Sequence, residues 1–298
     1  MATTRRDLLK SVPAALAAAA VPGVASAIPP VTRSGKARLR LGLAAYSMRD
    51  HLQGKLQPAM TLHDFLEKAA AWDVDAVELT SYYFPDEITP AYVSGLKRHC
   101  HLLGLEVSTT PIRNTFTVPA GPARDKDVAH VKRWLQIASD LGSSAIRIFA
   151  GDAPKGTDEA QARRHCVEAI EECADEAARQ GVFLALENHG GVVATPQGLL
   201  EIVQAVKSEW FGVNFDSGNF HGPDPYADLE TIAPYAVTAQ AKVEIQPAGQ
   251  PKQAADLGRV TAILRKAGYR GVVSLEYEAA EAPLTAIPRY LEALRAVL

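Results

Sequence analysis

Short apolar runs alternate with amphipathic segments eight times between Leu39 and the end of the chain. Largely apolar runs of this length are typical of strands buried on both faces of a parallel sheet. In the segments between them, apolar residues recur every three or four positions, which indicates helices that pack one face on a sheet. The predicted strands are residues 39–45, 76–80, 105–109, 145–149, 182–187, 211–216, 236–242 and 271–276.

Glycine and proline indicate where the predicted helices end. Several helical segments stop at a glycine just before the next strand, where glycine supplies the left-handed cap that turns the chain back. The sixth helix must be short, because three prolines fall within residues 221–235. Eight strand–helix units in about 260 residues predict a single (β/α)8 TIM barrel over residues 39–298. The alternative, an open doubly wound sheet, usually carries a glycine-rich phosphate loop after its first strand, and this chain has Ala44-Ala45-Tyr46-Ser47 there.

Four of the predicted strands carry an oxygen-donor side chain at or near the C-terminal end: Glu187, Asp216, Gln240 and Glu276. The C-terminal ends of barrel strands meet on one face, and active sites lie there. Oxygen donors brought together in this way are typical ligands of divalent cations. The pattern therefore predicts a divalent-metal site at the mouth of the barrel.

The two-residue period of a strand adds polar side chains to the predicted mouth. Each lies two positions from one of the four oxygen donors, so we predict substrate contacts for Asn214, Lys242 and Glu278. For Lys242 the alternative is an ion pair with Glu278.

Three further residues are substrate-binding candidates. His189 follows Glu187 in a loop, and histidine can move protons near neutral pH. Arg147, inside the fourth strand, could bind a substrate oxygen or phosphate, or else anchor the carboxylates of Glu187 and Glu78. Tyr46 follows the first strand and could line the pocket or serve only in packing.

Composition is consistent with one large domain: the chain has 298 residues, of which 47% are hydrophobic. The formal net charge is −3, and lysine and arginine are scattered, so we expect no nucleic-acid partner. The three cysteines are predicted to be buried thiols, because an odd number argues against a disulfide framework.

Residues 1–27 have the composition of an export signal. Arg5, Arg6 and Lys10 precede a charge-poor stretch rich in alanine, which ends in Ala25-Ser26-Ala27. The paired arginines resemble a twin-arginine signal, whose partner is the twin-arginine translocation machinery. The alternative is a retained membrane anchor. We expect cleavage near Ala27, a linker over residues 28–38, and a periplasmic or extracellular mature protein.

Replacing Arg5 and Arg6 together by lysine should block this export, because the pair is the feature that the machinery reads. Fractionation of expressing cells, with N-terminal sequencing of the exported form, checks the prediction. The parent should be found outside the cytoplasm with Ile28 as its first residue. Export of the double-lysine variant at the parental level would contradict the twin-arginine interpretation.

Four motifs come in order along the chain, each at the end of a predicted strand. They are Leu186-Glu187-Asn188-His189-Gly190, Asn214-Phe215-Asp216-Ser217-Gly218-Asn219, Gln240-Ala241-Lys242 and Ser274-Leu275-Glu276-Tyr277-Glu278. Together they resemble the xylose isomerase-like sugar isomerase/epimerase barrels, and the resemblance spans residues 39–298.

The resemblance implies that Glu187, Asp216 and Glu276 are metal ligands. In that family the third motif usually reads His-x-Lys, whereas this chain has Gln240 in the histidine position. An amide oxygen can still bind a hard cation, and an all-oxygen site favours Mn²⁺ or Mg²⁺ over Zn²⁺. The alternative is that Gln240 is an interior amide and that the cation has three protein ligands.

A cation bound to adjacent sugar oxygens would polarise the carbonyl and stabilise an enediolate. Glu187 and Glu276 are then the candidate catalytic bases of a sugar isomerase or epimerase. If a leaving group departs from the neighbouring carbon, the same chemistry gives a lyase or dehydratase acting on a keto-sugar or keto-glycoside. A non-catalytic sugar-binding barrel and an apurinic endonuclease-like nuclease are the remaining alternatives, and homo-oligomer formation stays open.

Overall fold

Eight parallel strands form one sheet in a computed structural model that describes residues 28–298. The predicted signal at residues 1–27 lies outside the described residues. Each barrel strand begins and ends within two residues of its predicted bounds. The barrel strands are β1 (Arg38–Ala44), β2 (Ala76–Glu78), β3 (Glu106–Thr109), β4 (Ala145–Ile148), β5 (Phe183–Glu187), β6 (Phe211–Asp216), β7 (Ala236–Lys242) and β10 (Arg270–Glu276). The antiparallel pair β8 (Glu244–Ile245) and β9 (Gln253–Ala254) follows β7.

The chain just after β3 brings the two edges of the sheet together. The strand order is β3-β2-β1-β10-β7-β6-β5-β4, so β3 and β4 are the edges. The backbone N–H of Thr110 donates to the carbonyl of Ala145 over 3.1 Å, and that of Ile112 donates to the carbonyl of Arg147 over 3.0 Å. These bonds complete a nearly closed ring, so the predicted single (β/α)8 TIM barrel is confirmed.

Helices connect the strands, and their ends have the chemistry that the sequence indicates. Gly104, Gly142 and Gly181 cap α3 (Pro90–Leu103), α4 (Pro122–Leu141) and α5 (Glu159–Gln180) with positive φ angles, as predicted. The sixth unit has the short helix α7 (Pro225–Ile232) of eight residues. The helices are α1 (Arg49–Leu52), α2 (Leu62–Ala71), α3 (Pro90–Leu103), α4 (Pro122–Leu141), α5 (Glu159–Gln180), α6 (Pro196–Ala205), α7 (Pro225–Ile232), α8 (Leu257–Lys266) and α9 (Pro283–Arg295).

The apolar core lies between the barrel and the surrounding helices. Leu43, Phe65 and Leu135 are among its fully buried members. Burying one such side chain stabilises the fold by about 1.5–3 kcal/mol relative to leaving it in water. The three cysteines are buried free thiols, as predicted.

The segment predicted as a linker packs on the barrel at the end away from the oxygen donors. Val31 donates its N–H to the carbonyl of Pro234 over 2.9 Å. Arg33 donates to the carbonyl of Ala236 over 2.7 Å, and its guanidinium lies 5.1 Å from the ring centre of Tyr269. Within residues 28–298, no helix has the length and apolar character needed to cross a membrane.

Candidate active site

A cavity of about 480 Å³ opens at the C-terminal ends of the barrel strands. Its lining includes seven of the predicted site residues: Tyr46, Arg147, Glu187, His189, Lys242, Glu276 and Glu278. The other three, Asn214, Asp216 and Gln240, are fully buried and are not part of this lining. The barrel therefore brings most of the predicted residues to one pocket.

Glu187, the last residue of β5, is held through both carboxylate oxygens. Its Oε2 lies 2.7 Å from Nε of Arg147, and its Oε1 accepts a hydrogen bond from Asn219 over 2.9 Å. Arg147 is itself fixed, since it donates to the carbonyl of Ile112 and its guanidinium lies 3.8 Å from the ring centre of Phe149. Burial raises the pKa of Glu187 to about 7, although Arg147 opposes the shift.

Asp216, the last residue of β6, is held by hydrogen bonds to both its backbone and its side chain. The Asn188 amide bridges to the Asp216 backbone: its Nδ2 donates to the carbonyl and its Oδ1 accepts from the N–H, each over 2.9 Å. The Asp216 Oδ1 accepts from the Gly218 N–H over 2.8 Å. Its Oδ2 is buried and accepts no hydrogen bond within residues 28–298, although the ammonium of Lys242 lies 3.4 Å from it. Burial raises the pKa of this carboxyl to about 8.

Lys242, the last residue of β7, places its ammonium group among carboxylates. Its Nζ lies 2.6 Å from Glu276, 2.5 Å from Glu278 and 3.4 Å from Asp216. Burial opposes the charge, but these carboxylates hold the pKa of Lys242 well above its usual value. Burial would likewise raise the pKa of Glu278, yet Lys242 keeps it below the usual range. The ion pair between Lys242 and Glu278 is thus present, within a larger cluster.

Gln240 belongs to a chain of side-chain hydrogen bonds inside the barrel. Its Oε1 accepts from Nδ2 of Asn214 over 2.7 Å, and its Nε2 donates to Oε2 of Glu78 over 2.8 Å. Thr238 donates to the Asn214 oxygen over 2.6 Å. Burial raises the pKa of Glu78 to about 8. In this arrangement the amide oxygen of Gln240 and the side chain of Asn214 are engaged in hydrogen bonds inside the barrel.

His189 and Tyr46 stand at the rim of the pocket. The His189 ring packs 4.5 Å from that of Phe149, and burial together with Arg147 lowers its pKa, so it is neutral near pH 7. Tyr46 is half-buried beneath the guanidinium of Arg49, whose carbon lies 5.2 Å from the ring centre. Both side chains are therefore available to a ligand in the pocket.

Several pocket residues were not predicted from the sequence. Asn188 and Asn219 position the carboxylates, while Tyr82, Arg113 and Asn114 line the pocket. Asn188 stands beside Glu187 in the sequence, and this adjacency was the one available signal. Arg113 and Asn114 lie between β3 and α4 in a segment with no helical or strand period, so no pattern indicated their direction.

Three buried carboxylates at the pocket are donors of the kind that a divalent cation takes. They belong to Glu187, Asp216 and Glu276, and burial raises the pKa values of the first two, with the neighbouring carboxylates adding to the shift. The Asp216 Oδ2 accepts no hydrogen bond from the part of the chain that the structure describes and is an oxygen that a hard cation would satisfy. Within the described residues, no three acidic, histidine or cysteine side chains converge as a ready metal cage. The ammonium of Lys242 instead lies between Asp216 and Glu276, and the Gln240 oxygen is already engaged.

The match to a known protein family covers most of this barrel. Residues 66–297 match the family described as the xylose isomerase-like TIM barrel. The chain belongs to this family. The resemblance inferred from the four motifs is therefore confirmed at the level of the family. A comparison of the sequence with curated proteins gives no match.

Solved structures with the same fold include several sugar epimerases. D-psicose 3-epimerase with D-tagatose from Clostridium cellulolyticum H10 aligns with a TM-score of 0.69 and 18% identity, over 87% of this chain and 99% of that chain. The apo form of the 3-keto-D-glucoside 4-epimerase YcjR from E. coli aligns with a TM-score of 0.67 and 15% identity, over 88% and 100%. The IolI protein with a binding zinc atom aligns with a TM-score of 0.69 and 17% identity, over 87% and 96%. At these identities the likeness shows the shared fold.

Proposed function

We propose that this protein is a metal-dependent sugar isomerase or epimerase that transfers a proton at a carbon next to a carbonyl. The observation that carries the proposal is the group of buried carboxylates Glu187, Asp216 and Glu276 beside the Lys242 ammonium, all at the C-terminal ends of barrel strands. Membership of the xylose isomerase-like family supports it, and so do the epimerases that share the fold.

Glu187 and Glu276 are the proposed bases. They stand on β5 and β10, which β6 and β7 separate in the sheet, so they approach the pocket from different sides. One carboxylate takes the proton from the carbon, the electron pair moves to the carbonyl oxygen, and an enediolate results. Return of a proton to the opposite face of that carbon gives an epimer, and return to the neighbouring carbon gives an isomer.

Other residues of the pocket position the substrate and balance its charge. A divalent cation held by Glu187, Asp216 and Glu276 would polarise the sugar carbonyl. Lys242 and His189 can donate hydrogen bonds to sugar oxygens, and Arg147 holds Glu187 in place. Because the donors are oxygen atoms, Mn²⁺ or Mg²⁺ is the proposed cation.

Solvent deuterium tests the proposed reaction. The protein would be incubated with Mn²⁺ in D₂O and a panel of aldoses, ketoses and keto-glycosides. We expect deuterium in recovered substrate or product, at the carbon from which the proton leaves. A Glu187→Gln/Glu276→Gln double variant is the control for exchange without the enzyme's bases. An unsaturated product would identify a lyase, and absence of deuterium across the panel would contradict the proposal.

Cation binding gives a separate prediction. Asp216→Ala should lose the bound cation, because it removes a buried carboxylate whose Oδ2 accepts no hydrogen bond from residues 28–298. Gln240→His should keep the cation and move preference toward Mn²⁺, Co²⁺ or Zn²⁺, because an imidazole nitrogen replaces the amide oxygen. Elemental analysis after dialysis against each metal measures both effects. Full occupancy in the Asp216→Ala protein would contradict the site.

A further inference from the structure

The candidate active site continues into a second cavity of about 590 Å³. This side groove runs along the turn after β2 and the first half of α4, and its lining includes Tyr82, Phe84, Arg113, Lys126, Arg133 and Trp134. Four residues line both cavities and form their common boundary: Tyr82, Arg113, Asn114 and Thr115.

Each of the two cavities has the volume of a small-ligand pocket. Pockets for small ligands measure about 300–1,000 Å³. The active-site cavity, at about 480 Å³, and the side groove, at about 590 Å³, each fall within this range. A ring that reacts at the carboxylates therefore leaves the groove free for a second group attached to it.

Aromatic side chains form part of the groove. The half-buried rings of Tyr82 and Phe84 are its accessible aromatic surface. The Arg113 guanidinium lies 4.9 Å from the ring centre of Tyr82, and the buried Trp134 ring meets Phe84 edge to face at 5.1 Å. Aromatic surfaces suit the C–H faces of a sugar ring, while nearby charged groups can donate to and accept from its hydroxyls. The lining thus offers both kinds of contact that a saccharide makes.

The charges along the groove nearly balance, which suits a neutral ligand. Its lining holds three cationic side chains, Arg113, Lys126 and Arg133, and two carboxylates, Asp86 and Asp127. Burial lowers the pKa of the neighbouring His130, which is therefore neutral near pH 7. A phosphate would be better matched by several unopposed arginines or by a cradle of backbone N–H groups.

The boundary between the cavities is held in place before any ligand arrives. The Asn114 amide makes two hydrogen bonds to the backbone of Phe149, over 2.7 and 2.9 Å. One residue further, the N–H of Thr115 donates to Asp127 on α4 over 2.9 Å. Arg113, next to this anchored pair, is exposed and stacked on Tyr82. A group positioned in advance loses less entropy on binding.

We propose that the side groove binds the second ring of a glycoside, so that the substrate is a two-ring keto-glycoside rather than a free monosaccharide. The inference rests on the proposed function for the chemistry at the first ring. It adds Arg113 and Arg133 as the residues that select the second ring.

Calorimetric titration tests the groove without turnover. The ligands are cellobiose, maltose and trehalose, compared with glucose and the methyl glucosides. We expect at least one two-ring sugar to bind with a Kd lower by about tenfold or more than its one-ring counterpart. An Arg113→Ala/Arg133→Ala variant should lose most of that difference. Arg98→Ala, on the exposed surface of α3, is the control and should retain it.

Circular dichroism establishes that each variant is folded before titration. Three outcomes would each contradict the proposed second-ring site. They are equal Kd values for one-ring and two-ring sugars, absence of binding by the whole panel, and an unchanged difference in the double variant. Deuterium exchange separates this outcome from failure of the proposed function. Deuterium exchange on monosaccharides, with no gain in kcat/KM for two-ring keto-glycosides, would support the proposed function and contradict the second-ring site. Binding of two-ring sugars without any deuterium exchange would support the second-ring site and contradict the proposed function.

Discussion

Glu187→Gln and Glu276→Gln should each lower turnover by about 10²–10⁴-fold, which is the usual cost of losing a positioned general base. Glutamine keeps the size of the side chain and one oxygen donor, so each variant should still retain appreciable cation. Both carboxylates line the same pocket, so either can be the abstracting base. Turnover and metal content would be measured on the same samples.

Glu278→Gln is the matched control. Glu278 is a carboxylate at the same mouth, but it is exposed and Lys242 keeps its pKa below the usual range, so it is a poor base. Its replacement should cost less turnover than either of the other two changes. If one glutamine variant still exchanges a substrate proton with D₂O without forming product, the remaining carboxylate is the abstracting base. Near-parental turnover in both Glu187→Gln and Glu276→Gln would contradict their assignment as bases. Lys242, His189 and Glu278 would then be the candidate bases.

The fold could be predicted because every level of the sequence agrees. Apolar runs of strand length alternate with segments in which apolar residues recur every three or four positions. Glycines lie at the helix ends where the chain must turn back, as Gly104, Gly142 and Gly181 do. Local preference and global packing then favour the same structure. The contribution of residues 28–38 was not predictable from this pattern. Their contacts include hydrogen bonds from Val31 and Arg33 to backbone carbonyls and the packing of Arg33 on Tyr269, which leave no period in the sequence.

The candidate site was predictable only as far as strand geometry reaches. The period of two and the position at strand ends correctly indicated that Glu187, Lys242 and Glu276 share one mouth. They could not indicate that the oxygen of Gln240 is engaged by Asn214, because that depends on a partner from another strand. The side groove was beyond prediction for a similar reason, since irregular loop segments supply much of its lining.

Arg147→Met should lower the free energy of unfolding by about 3–5 kcal/mol, because breaking a buried ion pair leaves its partner charge uncompensated. Arg147 is 4% and Glu187 3% exposed, and their closest atoms are 2.7 Å apart. Methionine keeps an unbranched apolar stem but lacks the guanidinium, so the contact with the Phe149 ring is lost as well. Denaturant unfolding of the metal-free protein measures the change.

Two further variants separate the ion pair from the other contacts of Arg147. Arg147→Met/Glu187→Gln removes both charges and should recover much of the loss, although the hydrogen bond to Ile112 stays broken. Lys266→Met breaks an exposed ion pair with Glu230 and should change the free energy of unfolding little, because solvent already screens that pair. If Arg147→Met costs no more than Lys266→Met, Arg147 does not stabilise the buried Glu187. Its place in the pocket lining would then favour the other role that the sequence allows, a direct contact with a substrate oxygen.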